Sequence, residues 1–176
     1  YILSKLSDAE QKGKKVYILR PCMIHGPGNK GNLNLLYQVV SKGVPWPLGA
    51  YDNKRSFCSI DNMSYVIEQL ILRKNIASGI YQVGDDEPLS TNKLIKLISA
   101  AVGRKAVIWD LPQGFMYKAA CVLGFFHLPL NKKRLKKLTE NFVVSNQKIK
   151  SALGIDKMPF TAEEGMKKTL ESFKKK

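Results

Sequence analysis

The six residues Val16-Tyr17-Ile18-Leu19-Arg20-Pro21 decide how this chain folds. Four apolar or aromatic side chains follow one another without alternation, and Val16 and Ile18 are β-branched. A continuous apolar run of this kind is the pattern of a strand covered on both faces, as in the interior of a parallel sheet. Arg20-Pro21 ends or perturbs that strand, because proline has no N–H for the ladder. Gly26-Pro27-Gly28-Asn29-Lys30-Gly31 then reads as a loop on composition. Asn32 is a candidate cap for a helix whose Leu35, Leu36, Val39 and Val40 keep helical spacing before Gly43.

The same reading extends in both directions. Upstream, Ile2, Leu3, Leu6 and Ala9 fall on one face of a helix over Tyr1–Lys15, closed by Gly13. Downstream, Val44-Pro45-Trp46-Pro47-Leu48-Gly49 carries two prolines and is an edge or a loop. Ser56–Ile60 is strand-like, and Asp61 is placed to cap a helix from Met63 to Lys74. Gly79–Val83 is a short strand, and Ser90-Thr91 opens an amphipathic helix over Lys93–Val102. Val107–Leu111 is a weak strand. Past Pro112 the chain is more apolar and less periodic up to Leu130. Helices follow near Lys133–Leu138, Asn146–Leu153 and Ala162–Phe173, the last capped by Thr161. Strands alternating with helices mean α/β with a parallel core and a helix-richer tail.

Composition narrows the class. The 176 residues are 44% apolar and 24% charged, a globular balance. The longest apolar stretch, Ala119–Leu130, contains His127 and Pro129 and is too short for a spanning helix. Cys22, Cys58 and Cys121 are too few and too scattered for a disulfide scaffold, which points to a reducing, cytoplasmic setting. The chain starts at Tyr1 with no leader-like segment, and the expectation is that an N-terminal part has been removed. Twenty-nine basic residues against 14 acidic give a net charge of +15. The densest basic run is Lys132-Lys133-Arg134-Leu135-Lys136-Lys137. Such a surplus attracts polyanions: nucleic acid, anionic lipid or phosphorylated small molecules. The basic run has no interleaved aromatics to stack on bases, so no nucleic acid is expected. Weak attachment to a membrane surface is a further reading, since the apolar stretch Phe115–Leu130 adjoins the basic run.

Chemistry-bearing residues are few. Tyr1 and Lys5, four apart, share one helix face, and an ammonium beside a phenol lowers its pKa toward a useful general acid/base. Gly26-x-Gly28-x-x-Gly31 matches the dinucleotide fingerprint and lies between a strand and a helix. Pro27 counts against it, because it removes an N–H where pyrophosphate needs donors. Lys30 and Asn32 at a loop-to-helix junction make an anion site. Arg55, at the mouth of a strand and next but one to Phe57, suits bidentate phosphate binding. Cys22-x-x-His25 has no second half, so no metal site is expected.

Taken in order, these pieces have a pattern. Tyr1-x-x-Ser4-Lys5 precedes Leu19-Arg20-Pro21 and Gly26-Pro27-Gly28. Gly43-x-Pro45-x-Pro47-Leu48-Gly49 and Asn53-Lys54-Arg55-Ser56-Phe57-x-Ser59-Ile60-Asp61-Asn62 follow, and Phe160-Thr161-x-Glu163-Glu164-Gly165 stands near the end. The chain resembles the extended short-chain dehydrogenase/reductases, in particular their NAD-dependent nucleotide-sugar epimerase/dehydratase branch, UDP-glucose or UDP-N-acetylglucosamine 4-epimerase-like.

The resemblance implies a C-terminal half: the last part of a Rossmann-type parallel sheet plus a smaller, helix-rich substrate-binding domain. Residues 1–31 would be the remnant of the NAD-binding domain, and 32–176 mainly the nucleotide-sugar region with segments returning to the sheet. It implies UDP-sugar 4-epimerisation through a 4-keto intermediate, with bound NAD (or NADP) exchanging hydride with sugar C4. Tyr1 would move the C4 hydroxyl proton. Lys5 would lower the pKa of Tyr1 and hold the nicotinamide ribose, and Pro21 would line the nicotinamide pocket. Lys30, Asn32 and Leu33 would grip the nucleotide-sugar, and Arg55 its diphosphate. The Gly26–Gly31 fingerprint then becomes a substrate loop. Met23 departs from the family, many of whose members carry a hydrogen-bonding Asn there. The partners implied are a UDP-sugar, the missing N-terminal half and, as an option, a second copy in a homodimer. Rival readings are a UDP-4-keto-6-deoxy-sugar reductase and a non-catalytic basic module for nucleic acid or anionic membrane.

Overall fold

The structure, a computed structural model, describes residue 4 and residues 13–125 and 132–174. Most of the helix expected over Tyr1–Lys15 lies outside the described residues, with Tyr1 and Lys5. Two compact units divide the chain.

The first unit comprises residues up to Gly26, Ser56–Glu87 and Val144–Gly165. The decisive apolar run forms β1 (Tyr17–Pro21), and Pro21 is its last residue. Strand β1 pairs in parallel with β4 (Gly79–Val83), Tyr17 opposite Gly79 and Pro21 opposite Val83. A second parallel pair joins β2 (Met23–His25) to β3 (Phe57–Ser59). Parallel pairing requires crossover connections, and here helices supply them. Helix α2 (Ile60–Leu72) starts with the Ser59 side chain accepting from the Asn62 N–H. The cap is therefore Ser59, and Asp61 sits inside the first turn, where its charge meets the positive helix end. Val66 and Leu70, one turn apart, face inward. They join Tyr81, Val83 and Cys58 with Ile149 and Leu153 of α6 (Gln147–Leu153) in one buried cluster.

The second unit comprises Pro27–Arg55, Pro88–Val143 and Met166–Lys176. Helix α1 (Asn32–Ser41) buries Leu33, Tyr37 and Val40, the i, i+4, i+7 stripe of an amphipathic helix. Its cap position is Gly31, not Asn32, which is already helical. Asn29 instead orders the approach, its Oδ1 accepting from Gly31 N at 2.8 Å. Helix α3 (Thr91–Ala101) is capped by Ser90 as its sequence expects, with Leu94, Ile95 and Ile98 buried. The expected strand over Val107–Leu111 reduces to bridges from Trp46 to Ile108 and from Leu48 to Asp110. Gly49 makes this approach possible, since a Cβ there would lie 2.9 Å from the Trp109 carbonyl oxygen. Helices α4 (Gln113–Phe125) and α5 (Lys132–Thr139) complete the unit with the end of α7 (Ala162–Lys174). Tyr37 and Phe173 meet edge to face at 5.1 Å. Thr161 and Glu164 form a reciprocal capping box at the start of α7: Thr161 N donates to Glu164 Oε2, and Glu164 N donates to Thr161 Oγ1.

Candidate functional site

In the first unit, β1 and β4 end side by side at Pro21 and Val83, and the carboxyl ends of parallel strands are where open α/β sheets place ligands. Beyond Val83 come buried Asp85 and half-buried Asp86. Asp85 accepts from Ser59 N at 3.0 Å and from Asn62 Nδ2 at 2.7 Å, and His25 Nε2 stands 3.6 Å from its other oxygen. Asn62 is held at both ends, its Nδ2 donating to Phe160 O and its Oδ1 accepting from Phe160 N. Gly165 fits against this cluster because a Cβ there would come within 2.6 Å of Ser59 Cβ.

Asp86 has its own partners: Lys150 Nζ at 2.7 Å, Met158 N at 2.7 Å and Asn146 Nδ2 at 2.9 Å. Burial alone would raise its carboxyl, but the hydrogen bonds from Lys150, Met158 and Asn146 outweigh burial and hold it below the ordinary value. Burial also pushes the Cys22 thiol up to about 11 and that of Cys58 up to about 12, with the Asp85 carboxylate adding to both. Neither is an activated thiol at neutral pH.

In the second unit, Arg55 is fixed by its backbone. Its N–H donates to Leu89 O, its C=O accepts from Leu89 N, and it bridges to Phe142 on the other side. Its guanidinium donates through Nη1 to Lys137 O near the carboxyl end of α5 at 2.6 Å. A guanidinium has five N–H donors in a rigid fork, so this bond orients the group and leaves donors for an anion. Asn53 is buried nearby in sequence, its amide bonded to Thr91 Oγ1 and Leu138 O.

Lys30 and Asn32 are exposed, and Leu33 is 4% exposed, at the beginning of α1. The Leu33 side chain is given over to packing. The Gly31 carbonyl takes the N–H groups of Asn34 and Leu35. The N–H groups of Asn32 and Leu33 belong to the first-turn donors that an α-helix cannot satisfy itself. Two amides of the Gly26–Gly31 loop are committed: Gly28 N donates to Ser172 Oγ and Gly31 N to Asn29 Oδ1. Pro27 has none.

Two buried polar atoms of this unit, Trp46 Nε1 and Asn92 Oδ1, have no hydrogen-bond partner among the described residues. The Asn92 amide nitrogen meanwhile holds the backbone just past the bridged segment, donating to Gly49 O and Tyr51 O. Sequence reasoning missed both. The proline-flanked setting of Trp46 signals a fixed loop, and nothing in the sequence signals that its indole N–H is buried. Of the residues expected at the site, the structure places Pro21 in the first unit and Lys30, Asn32, Leu33 and Arg55 in the second. Tyr1 and Lys5 lie outside the described residues.

Over 166 residues, 94% of its length, the chain is 32% identical to UDP-glucose 4-epimerase of Vibrio cholerae, of which it covers 48%. The chain is similar to nucleotide-sugar 4-epimerases over about half of their length. It is also 24% identical to an N-acetylglucosaminyl-diphospho-undecaprenol 4-epimerase of Escherichia coli, over 90% of this chain and 49% of that protein. The chain thus spans about half the length of the curated relatives it matches, which fits the C-terminal half of such an enzyme. The fold agrees. The crystal structure of UDP-glucose 4-epimerase from Thermus thermophilus in complex with NAD superposes with a TM-score of 0.62 at 21% identity, covering 97% of this chain and 50% of that one. The chain is therefore α/β and carries part of a Rossmann-type fold. No protein-family model matches the sequence.

Proposed function

We propose that this chain is the nucleotide-sugar-binding half of an NAD-dependent UDP-sugar 4-epimerase, inactive by itself and cytoplasmic. The observation that carries the reading is the 32% identity to a UDP-glucose 4-epimerase over nearly the whole chain, with the motifs in family order. In this reading Arg55 binds the diphosphate, with its fork already oriented by Lys137 O. Lys30 and the free N–H groups at the start of α1 hold the nucleotide-sugar from another element. Asn32 and Leu33 contribute there through the backbone.

The fit to a dinucleotide is partial. Pro21, at a parallel strand end, suits the edge of a nicotinamide pocket. The Gly26–Gly31 loop does not suit pyrophosphate, because the amides of Gly28 and Gly31 already have partners and Pro27 has no N–H. When bound, the dinucleotide supplies hydride exchange at the sugar C4. In the same reading Tyr1 moves the C4 hydroxyl proton, and Lys5 lowers the pKa of Tyr1 and holds the ribose. The pyrophosphate site then belongs to the N-terminal half of the same enzyme. Three features support further chain packing against this unit. The apolar strand β1 is only half-buried, it pairs with β4 alone among the described residues, and α2 exposes Ile67 and Ile71 one turn apart on its outer face.

Thermal melts of the chain with UDP, UDP-N-acetylglucosamine and NAD, each at two salt concentrations, test the reading. Ligand binding raises the midpoint by mass action, by about 2.7 kcal/mol of stability at a hundredfold excess over Kd. The expected result is a shift with both uridine ligands, little changed by salt, and none with NAD. A cooperative melt that no uridine ligand moves would sink the proposal. The rival ketoreductase would consume NAD(P)H stoichiometrically when the chain is combined with its N-terminal half, whereas an epimerase regenerates its cofactor each turnover.

A further inference from the structure

The surface of the second unit around α4 and α5 has a chemistry that a nucleotide-sugar site does not use. Helix α4 carries one charged residue in thirteen, Lys118, and buries Met116 and Ala120 on one side. Phe115 is 60% exposed. Helix α5, packed against α4, has the sequence KKRLKKLT and buries Leu135 while Lys133, Lys136 and Lys137 are exposed. The chain leaving α5 exposes Phe142 and Val143. Arg55 ties that segment to the helix, since it bridges to Phe142 and bonds the Lys137 carbonyl. Between Gly103 and Val143 there are eight basic residues and two acidic ones.

Single exposed apolar residues are ordinary. Phe115 on α4 and Phe142 and Val143 just past α5, beside the lysines of α5, are a different case. We propose that this face docks on an anionic lipid bilayer surface. Phe115, Phe142 and Val143 enter the boundary between headgroups and acyl chains, while Lys133, Lys136 and Lys137 meet lipid phosphates. Two requirements are met together there: apolar area to bury and positive charge beside it. Single-stranded nucleic acid would use the rings and the lysines but not Val143, which has no face for a base to stack on. A second copy would bring like charges together. No described helix is long and apolar enough to cross a membrane, so the contact is with the surface. The inference stands apart from the catalytic reading.

The test is co-sedimentation of the chain with phosphatidylcholine vesicles, with and without phosphatidylglycerol, across a salt series. Binding is expected only with phosphatidylglycerol, weakening as salt rises. Replacing Lys133, Lys136 and Lys137 by Ala should weaken it on the order of a hundredfold, at about fivefold per lysine. Phe115→Ala should weaken it several-fold, and that loss should persist at high salt. The paired control Lys74→Ala and Lys157→Ala, exposed lysines of the first unit, should bind as the parent does. Equal loss in the control would reduce the effect to net charge and overturn the proposal, as would equal binding to vesicles without phosphatidylglycerol. Tighter binding to a single-stranded RNA oligonucleotide than to vesicles would assign the face to nucleic acid instead. A Phe115→Ala variant that changes sedimentation of the free chain, with vesicle binding intact, would assign it to self-association. If the triple variant melts early, Phe115→Ala carries the decision, because so exposed a side chain adds little to folding.

Discussion

The two units treat their buried polar groups differently. In the first, buried Asp85 and half-buried Asp86 each collect donors from distant segments: Ser59 and Asn62 for one, Asn146, Lys150 and Met158 for the other. In the second, Trp46 Nε1 and Asn92 Oδ1 are enclosed with no partner among the described residues, and Arg55 uses part of its fork there. A buried group that is satisfied fixes the fold. A buried group that is not satisfied costs about 1–3 kcal/mol until something binds it. These two carboxylates are thus held from within the fold, whereas Trp46 and Asn92 are where a polar ligand would recover lost hydrogen bonds.

The largest expected effect is at Asp85. Replacing it by Ala leaves the buried Ser59 N–H and the Asn62 amide without their acceptor, at about 1–3 kcal/mol each. The expected loss is about 3–5 kcal/mol in urea unfolding. A loss below about 1 kcal/mol would show that water or another group replaces the carboxylate, and the contrast between the units would fail on that side.

Arg55→Ala tests the other side. If Arg55 holds a diphosphate, the variant should lose about 1.5–3 kcal/mol of UDP binding by calorimetry, roughly ten- to a hundredfold in Kd. Its unfolding should change less, since among the described residues the side chain's one bond is that to Lys137 O. Unchanged affinity with a large drop in stability would make Arg55 a strut for α5.

Local rules carried much of the fold. The Thr161–Glu164 box and the Ser90 cap lie within three residues of what they bond, so the sequence contains both halves. Caps went astray where two acceptors compete, as with Ser59 against Asp61, and the tertiary pull of β3 on Ser59 decides that choice. Strand β2 was illegible, because Met23-Ile24-His25 has no alternation and owes its form to pairing with Phe57–Ser59. The same division applies to the candidate site. Arg55 could be picked out because its chemistry and its place in an ordered set of motifs are written along the chain. Trp46 and Asn92 could not, because only packing makes them buried and unpaired.

A pH titration sharpens the first unit's half of the comparison. The Asp86 carboxyl is held below its ordinary value, so the charged form is the one folding favours. Its contribution is present above the unfolded-state pKa of about 3.9 and is lost as pH falls through the folded value. Asp86→Asn should therefore cost about 1–3 kcal/mol at neutral pH, and the gap between variant and parent should narrow below about pH 4. A gap that is constant down to the acid transition would mean that Asp86 acts by shape alone.

The smallest effect is the most discriminating. Trp46 is 9% exposed, and its indole N–H has no partner among the described residues. Trp46→Phe removes that N–H and keeps an aromatic ring in the bridged segment beside Val107–Trp109. In the free chain the loss of packing and the relief of an unsatisfied donor oppose each other, so stability should move by less than about 1 kcal/mol. Binding of a uridine nucleotide responds differently. If the ligand supplies the missing acceptor, removing the donor forfeits one hydrogen bond, about 0.5–1.5 kcal/mol, and affinity falls about two- to tenfold. Reversed proportions, with stability falling by more than about 2 kcal/mol and affinity unmoved, would mean that the indole is paired within the folded protein. The second unit would then be as self-sufficient as the first, and the place to look for the ligand would narrow to Arg55 and the start of α1.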